Sequence, residues 1–143
     1  MKKFGTAHWE GNLQQGTGSV STESGVLDDV QYGFNKRFED EPGSNPEELV
    51  GAAHAACYSM ALSMILGNYD ATADAIDTKA TVHLEKDGDG FSVTKVHLDV
   101  TASIPGMDAD KFAEAANAAK EGCPISKLYK GGTAEITMDA KLA

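Results

Sequence analysis

One segment constrains this chain more than any other: the run from Val50 to Leu66, which contains no Asp, Glu, Lys or Arg. It is introduced by Asn45-Pro46-Glu47-Glu48. Asn45 suits a helix N-cap and Pro46 the first helical position, while the two glutamates complement the positive end of the helix dipole. Gly67-Asn68 supplies a stop signal. Gly51, Ala52, Ala53, Ala55 and Ala56 fall on several faces and are followed by Met60, Leu62, Met64 and Ile65. That pattern predicts a helix packed closely on all sides. His54, Ser59 and Ser63 interrupt the run, which is too short and too polar for a comfortable membrane span. The expectation is a buried central helix around which the remaining elements must be arranged.

Those elements are legible from turn chemistry and alternation. Thr6–Glu10, Gly16–Thr22 and Val30–Phe34 read as strands separated by Gly, Asn, Asp and Ser clusters, predicting a small antiparallel meander. Residues 39–46 form a loop dense in breakers. Ile76–Glu85 and Phe91–Thr101 alternate apolar and polar residues on either side of Lys86-Asp87-Gly88-Asp89-Gly90, the pattern of a hairpin. Asp87 and Asp89 do not continue into the twelve-position loop that calcium binding needs. Met107–Glu121 predicts an amphipathic helix capped by Asp108, with Phe112, Ala115, Ala116 and Ala119 on its apolar face and Gly122 ending it. Cys123-Pro124 opens a short third helix, and Thr133–Leu142 reads as a closing strand. With 143 residues, no repeat and no flexible linker, a single α+β domain over 1–143 is expected, with antiparallel strand groups flanking the buried helix.

Twelve Lys and Arg against 22 Asp and Glu give a net charge of −10. Such a surface repels nucleic acid and anionic headgroups, so neither nucleic acid nor membrane is an expected partner. After Met1-Lys2-Lys3 there is no sustained apolar run of the secretory type, and a cytoplasmic location is expected. In a reducing compartment a disulfide between the two cysteines would be transient and catalytic rather than permanent.

The candidate chemistry centres on thiols. Cys57, mid-helix in His54-Ala55-Ala56-Cys57-Tyr58, reads by itself as a small buried apolar residue. To act as a nucleophile it needs a nearby cation that favours the thiolate, and Arg37 is the best candidate. Cys123 directly precedes Pro124 and so adjoins a helix start, where backbone N–H groups favour thiolate. His54 and Cys57 are three apart on one helical face, a spacing open to two ligands of a metal with Cys123 as a third, although His8, His83 and His97 fall in separate strands. No phosphate-binding glycine loop, G-x-S-x-G elbow or paired-carboxylate pattern is present, and no cofactor is called for.

Several stretches resemble the OsmC branch of the OsmC/Ohr hydroperoxide-reductase family. They are Tyr32-Gly33-Phe34-Asn35-Lys36-Arg37-Phe38, then Asn45-Pro46-Glu47-Glu48-Leu49-Val50-Gly51-Ala52-Ala53-His54-Ala55-Ala56-Cys57, and Gly122-Cys123-Pro124-Ile125-Ser126. The opening Ala7-His8-Trp9-Glu10-Gly11 and the segment Val20–Leu27 fit as well. The resemblance implies an intertwined homodimer with active sites at the interface, and a peroxidase acting on organic hydroperoxides and on hydrogen peroxide. It further implies that Cys57 attacks the peroxide, Cys123 resolves the product, Arg37 and Glu47 support the reactive cysteine, and an external dithiol resets the enzyme without metal or cofactor. Glu47 lies ten residues before Cys57, about 15 Å along one helix, so Glu47, with Arg37, is expected to reach Cys57 from the partner subunit. The competing expectation is a non-catalytic stress protein that binds a small ligand or metal through the same pocket.

Overall fold

The computed structural model describes residues 1–39, 41–131 and 135–142. Asp40, in the predicted loop, and Thr133, in the predicted closing strand, lie outside the described residues. The chain divides into two compact units, Met1–Leu49 and Val50–Ala143.

In the first unit, β1 (Gly5–Glu10), β2 (Thr17–Thr22) and β3 (Val30–Tyr32) form the expected antiparallel meander in the order β1-β2-β3. Gly18 is required where β2 passes Tyr32, because a Cβ there would lie 2.6 Å from the tyrosine ring. Trp9 packs against the same ring at 5.5 Å between centroids. The predicted third strand is too long: it stops at Tyr32, and Phe34–Phe38 forms a short helix, α1. Lys36 and Arg37 fall in its last turn, where positive charge suits the helix dipole.

Helix α2 spans Pro46–Leu66. Its start is built as the residues dictate, with the Glu48 N–H donating to Asn45 Oδ1 at 2.9 Å. At the other end the chain tightens into a 3-10 turn, Gly67–Tyr69, and the left-handed residue is Asp70 (φ 51°) rather than the expected Gly67-Asn68. Within the chain α2 buries one face only: Gly51, His54, Tyr58, Ala61, Leu62 and Leu66. This departs from the expectation of packing on all sides, since Met60 and Met64 are 75% and 71% exposed. Residues 46–69 are long and apolar enough to cross a membrane by length and composition. Two of their polar side chains have protein partners: the Ser59 hydroxyl lies 2.8 Å from that of Thr78 and the Tyr58 hydroxyl 3.2 Å from the Ala116 carbonyl oxygen.

In the second unit, β4 (Ala75–Asp87) and β5 (Gly90–Ser103) form the predicted hairpin, turned at Gly88 with φ 58°. Gly51 lets α2 approach this sheet, because a Cβ there would lie 2.9 Å from the Ala80 carbonyl oxygen. Strand β5 is central and strictly alternating, burying Val96, Leu98, Val100 and Ala102. β6 (Glu135–Leu142) pairs with β5 in parallel. The expected antiparallel pairing holds for β1–β3 and for β4–β5, and β6 is the exception. The chain from β5 to β6 runs through α3 (Ala109–Gly122) and α4 (Pro124–Lys130), and such a crossover is what a parallel pair requires. Asp108 caps α3 by accepting from the Lys111 N–H at 2.9 Å. Phe112, Ala115, Ala116 and Ala119 of α3 join Tyr58, Leu62 and Leu66 of α2 and the inner face of β5 in one core. Burying Leu62 or Leu66 stabilises the fold by about 1.5–3 kcal/mol each.

Candidate active site

Cys123 stands at a junction where both neighbouring helices fix its backbone. It is the C-cap of α3 and the N-cap of α4: its N–H donates to the Ala119 carbonyl at 2.8 Å, and its carbonyl accepts from the Lys127 N–H at 3.0 Å. Its side chain is fully buried. Cys57 projects from the middle of α2 and retains partial solvent exposure. The two sulfurs lie 3.1 Å apart. Both cysteines are free thiols, in contact but well beyond the ~2.05 Å of a disulfide bond.

Their surroundings divide the pair. Burial pushes the Cys57 thiol up, and its hydrogen bond with Cys123 adds to the effect, while the Ile125 backbone N–H opposes it. Burial also acts upward on Cys123. It is outweighed by the Ser126 N–H, the Cys57 thiol, the Ser126 hydroxyl and the Ile125 N–H, so the Cys123 thiol is held below its ordinary value. The groups that favour a thiolate within the second unit therefore gather around Cys123. Among the described residues no Lys or Arg of this unit acts on the Cys57 sulfur.

Arg37 and Glu47 are brought together in the first unit. Arg37 Nε donates to Glu47 Oε2 at 3.0 Å and Nη2 to Oε1 at 2.6 Å, the two-point geometry that best fixes a guanidinium. The guanidinium carbon also lies 5.3 Å from the Phe38 ring centroid. Arg37 lines a small cavity of about 80 Å³ whose walls include Trp9, Tyr32, Phe34 and Phe38. A cation set among aromatic walls suits a substrate with one polar end and an apolar body.

Among the described residues, His54, Cys57 and Cys123 do not bring three ligating atoms within 4.8 Å of one another. His54 Nε2 lies 2.8 Å from Ser126 Oγ, and the ring packs edge-on against Tyr129 at 5.2 Å. Its nearest polar partner is thus a hydroxyl of α4. Among the described residues, the three ligating atoms of His, Cys, Asp or Glu found within 4.8 Å of one another belong to His97, Asp99 and Asp139 instead. Sequence reasoning gave Ser126 no role beyond its place in a motif. Its signal was the spacing: three residues after a helix cap, a side chain lies beside that cap.

A profile of OsmC-like proteins matches residues 38–138, a span that contains both cysteines and Glu47. The chain belongs to the OsmC-like family. It is 54% identical over 142 residues to peroxiredoxin OsmC of Escherichia coli K12, covering 99% of this chain and 97% of that protein. It is 30% identical over 125 residues to the organic hydroperoxide resistance protein OhrB of Bacillus subtilis, covering 87% of this chain and 89% of that one. The crystal structure of B. subtilis OhrB matches the present fold with a TM-score of 0.69 at 26% identity over 98% of both chains. The α+β architecture is accordingly that of OsmC and Ohr proteins.

Proposed function

We propose that this OsmC-like chain is a thiol-dependent peroxidase that reduces organic hydroperoxides, and hydrogen peroxide, to the corresponding alcohol or water. The observation that carries the reading is the pair of free thiols in contact, one partly open to solvent and one buried. A peroxide arriving from solvent meets Cys57 first. The Cys57 thiolate attacks the distal peroxide oxygen, the O–O bond breaks, and the leaving alkoxide takes a proton to become the alcohol. Cys57 is left as a sulfenic acid. The Cys123 sulfur attacks it, forming the Cys57–Cys123 disulfide and releasing water. An external dithiol reduces the disulfide and is itself oxidised.

Because burial raises the Cys57 thiol and, among the described residues, no cation of its own unit opposes this, the charge that favours its thiolate is read as coming from elsewhere. The proposed source is the Arg37–Glu47 pair, supplied by the partner subunit of a homodimer. The helix supports that assembly: Ala53, Ala56, Met60 and Met64 form an exposed stripe on α2, an apolar surface of the kind a second copy covers. Residues 1–143 are read as one functional domain acting in the cytoplasm, where the dithiol stays reduced between turnovers.

The test is steady-state consumption of an alkyl hydroperoxide with excess dithiol. Catalytic turnover that disappears in Cys57→Ser, with the circular dichroism spectrum preserved, is the expected result. Full turnover in that variant would overturn the assignment. Parallel assays with small and lipoyl-type dithiols identify the reductant class.

A further inference from the structure

His54 and Ser126 are buried to within 1% of full enclosure and have no part in the mechanism above. His54 Nε2 lies 2.8 Å from Ser126 Oγ, whereas His54 Nδ1 is buried with no hydrogen-bond partner. That asymmetry selects a tautomer. A buried N–H without an acceptor is the costlier orphan, so the proton belongs on Nε2 and the bare lone pair on Nδ1. Burial also keeps the ring neutral by lowering its pKa.

With Nε2–H donating to Ser126 Oγ, the serine hydroxyl proton is free to be given elsewhere. Ser126 is the third residue of α4 after its cap, Cys123, and its hydroxyl is among the groups that lower the Cys123 thiol. We propose that His54 and Ser126 are positioning residues for Cys123: the imidazole orients the serine hydroxyl so that its proton points at the Cys123 sulfur and stabilises the thiolate that resolves the sulfenic acid. No net proton moves along the pair. The thiol proton of Cys123 leaves with the hydroxyl of the Cys57 sulfenic acid as water, and the sulfur–sulfur bond replaces the sulfur–oxygen bond. The assignment of Cys123 as resolving thiol rests on the peroxidase reading, but the effect on its ionisation does not. The titratable groups facing Cys123 are Cys57 and Tyr58 of α2 and Tyr129 of α4. Both tyrosines are pushed upward, chiefly by burial, and remain neutral while the thiol titrates.

The experiment uses the full chain in a Cys57→Ser background, where Cys123 is the remaining thiol, and follows thiolate absorbance in the ultraviolet against pH without any peroxide. Ser126→Ala is expected to move the midpoint upward by about one pH unit, His54→Leu to move it in the same direction, and Ser126→Thr to restore it. Circular dichroism checks the fold, and Ser126→Ala carries the test if His54→Leu does not fold. An unchanged midpoint in folded Ser126→Ala overturns the proposal. A shifted midpoint, together with an unsubstituted chain that consumes no peroxide, upholds the pair and removes only the peroxidase reading.

Discussion

The sulfurs of Cys57 and Cys123 meet at 3.1 Å although 66 residues separate them along the chain. The contact is built by two rigid supports, the middle of α2 on one side and the α3–α4 junction on the other. If Cys123 is there to resolve Cys57, Cys123→Ser must separate the two halves of the reaction. The variant is expected to keep a first turnover and to accumulate a Cys57 sulfenic acid that a dimedone-type probe captures. Its steady-state rate should fall at least about tenfold. Mass spectrometry of the labelled Cys57 peptide checks this, and an undiminished steady-state rate would argue against resolution by Cys123.

Arg37 and Glu47 make a two-point ion pair at 2.6 and 3.0 Å. Glu47→Gln keeps the size and removes the charge that orients the guanidinium, so peroxidase activity should drop roughly 10-fold, about 1.4 kcal/mol of barrier. The subunit origin is checked by mixing. In a mixed dimer of Glu47→Gln and Cys57→Ser chains, one site regains both intact residues if the pair acts across the interface, and activity returns. Service within one chain would leave every mixed dimer impaired.

The exposed stripe on α2 predicts assembly. Met60 and Met64 each stand to gain about 1.5–3 kcal/mol on burial by a second copy. Met60→Glu with Met64→Glu should shift the mass seen by light scattering from dimer to monomer, with a parallel loss of activity. An unchanged dimer mass would place the interface elsewhere.

His54 supplies a pH signature of stability. Burial holds its imidazole below the ordinary value of 6.5, so the unfolded chain binds a proton that the folded chain does not. The stability it contributes is therefore fully present above about pH 6.5 and declines as pH falls toward the lowered folded-state value. The urea midpoint should fall between about pH 7.5 and about pH 5.5, and His54→Gln should reduce that fall. Equal falls in both chains would contradict the assignment of a buried neutral histidine.

What could be read in advance was local. Asn45, Pro46 and Asp108 carry their structural meaning in their own chemistry, and the hairpin around Gly88 follows from turn residues between alternating strands. The features that were missed depend on long-range partners. The parallel pairing of β6 follows from the return path through α3 and α4 rather than from alternation within Glu135–Leu142. The one-sided burial of α2 reflects what the rest of the chain covers, which an apolar sequence on every face does not reveal. The short helix at Phe34–Phe38 continues an aromatic pattern that reads equally well as strand. In the site, Cys123 announced itself through Pro124, whereas the role of Ser126 emerged only when the fold set His54, 72 residues away, against its hydroxyl.

The central claim is that Cys57 and Cys123 form one redox-active dithiol, and the most direct measurement is a stoichiometric oxidation. One equivalent of an organic hydroperoxide added to the reduced chain, followed by thiol counting and non-reducing peptide mapping, should consume both thiols and yield a single peptide pair joined by Cys57–Cys123 within one chain. Retention of both thiols, or a disulfide joining two chains, would contradict it.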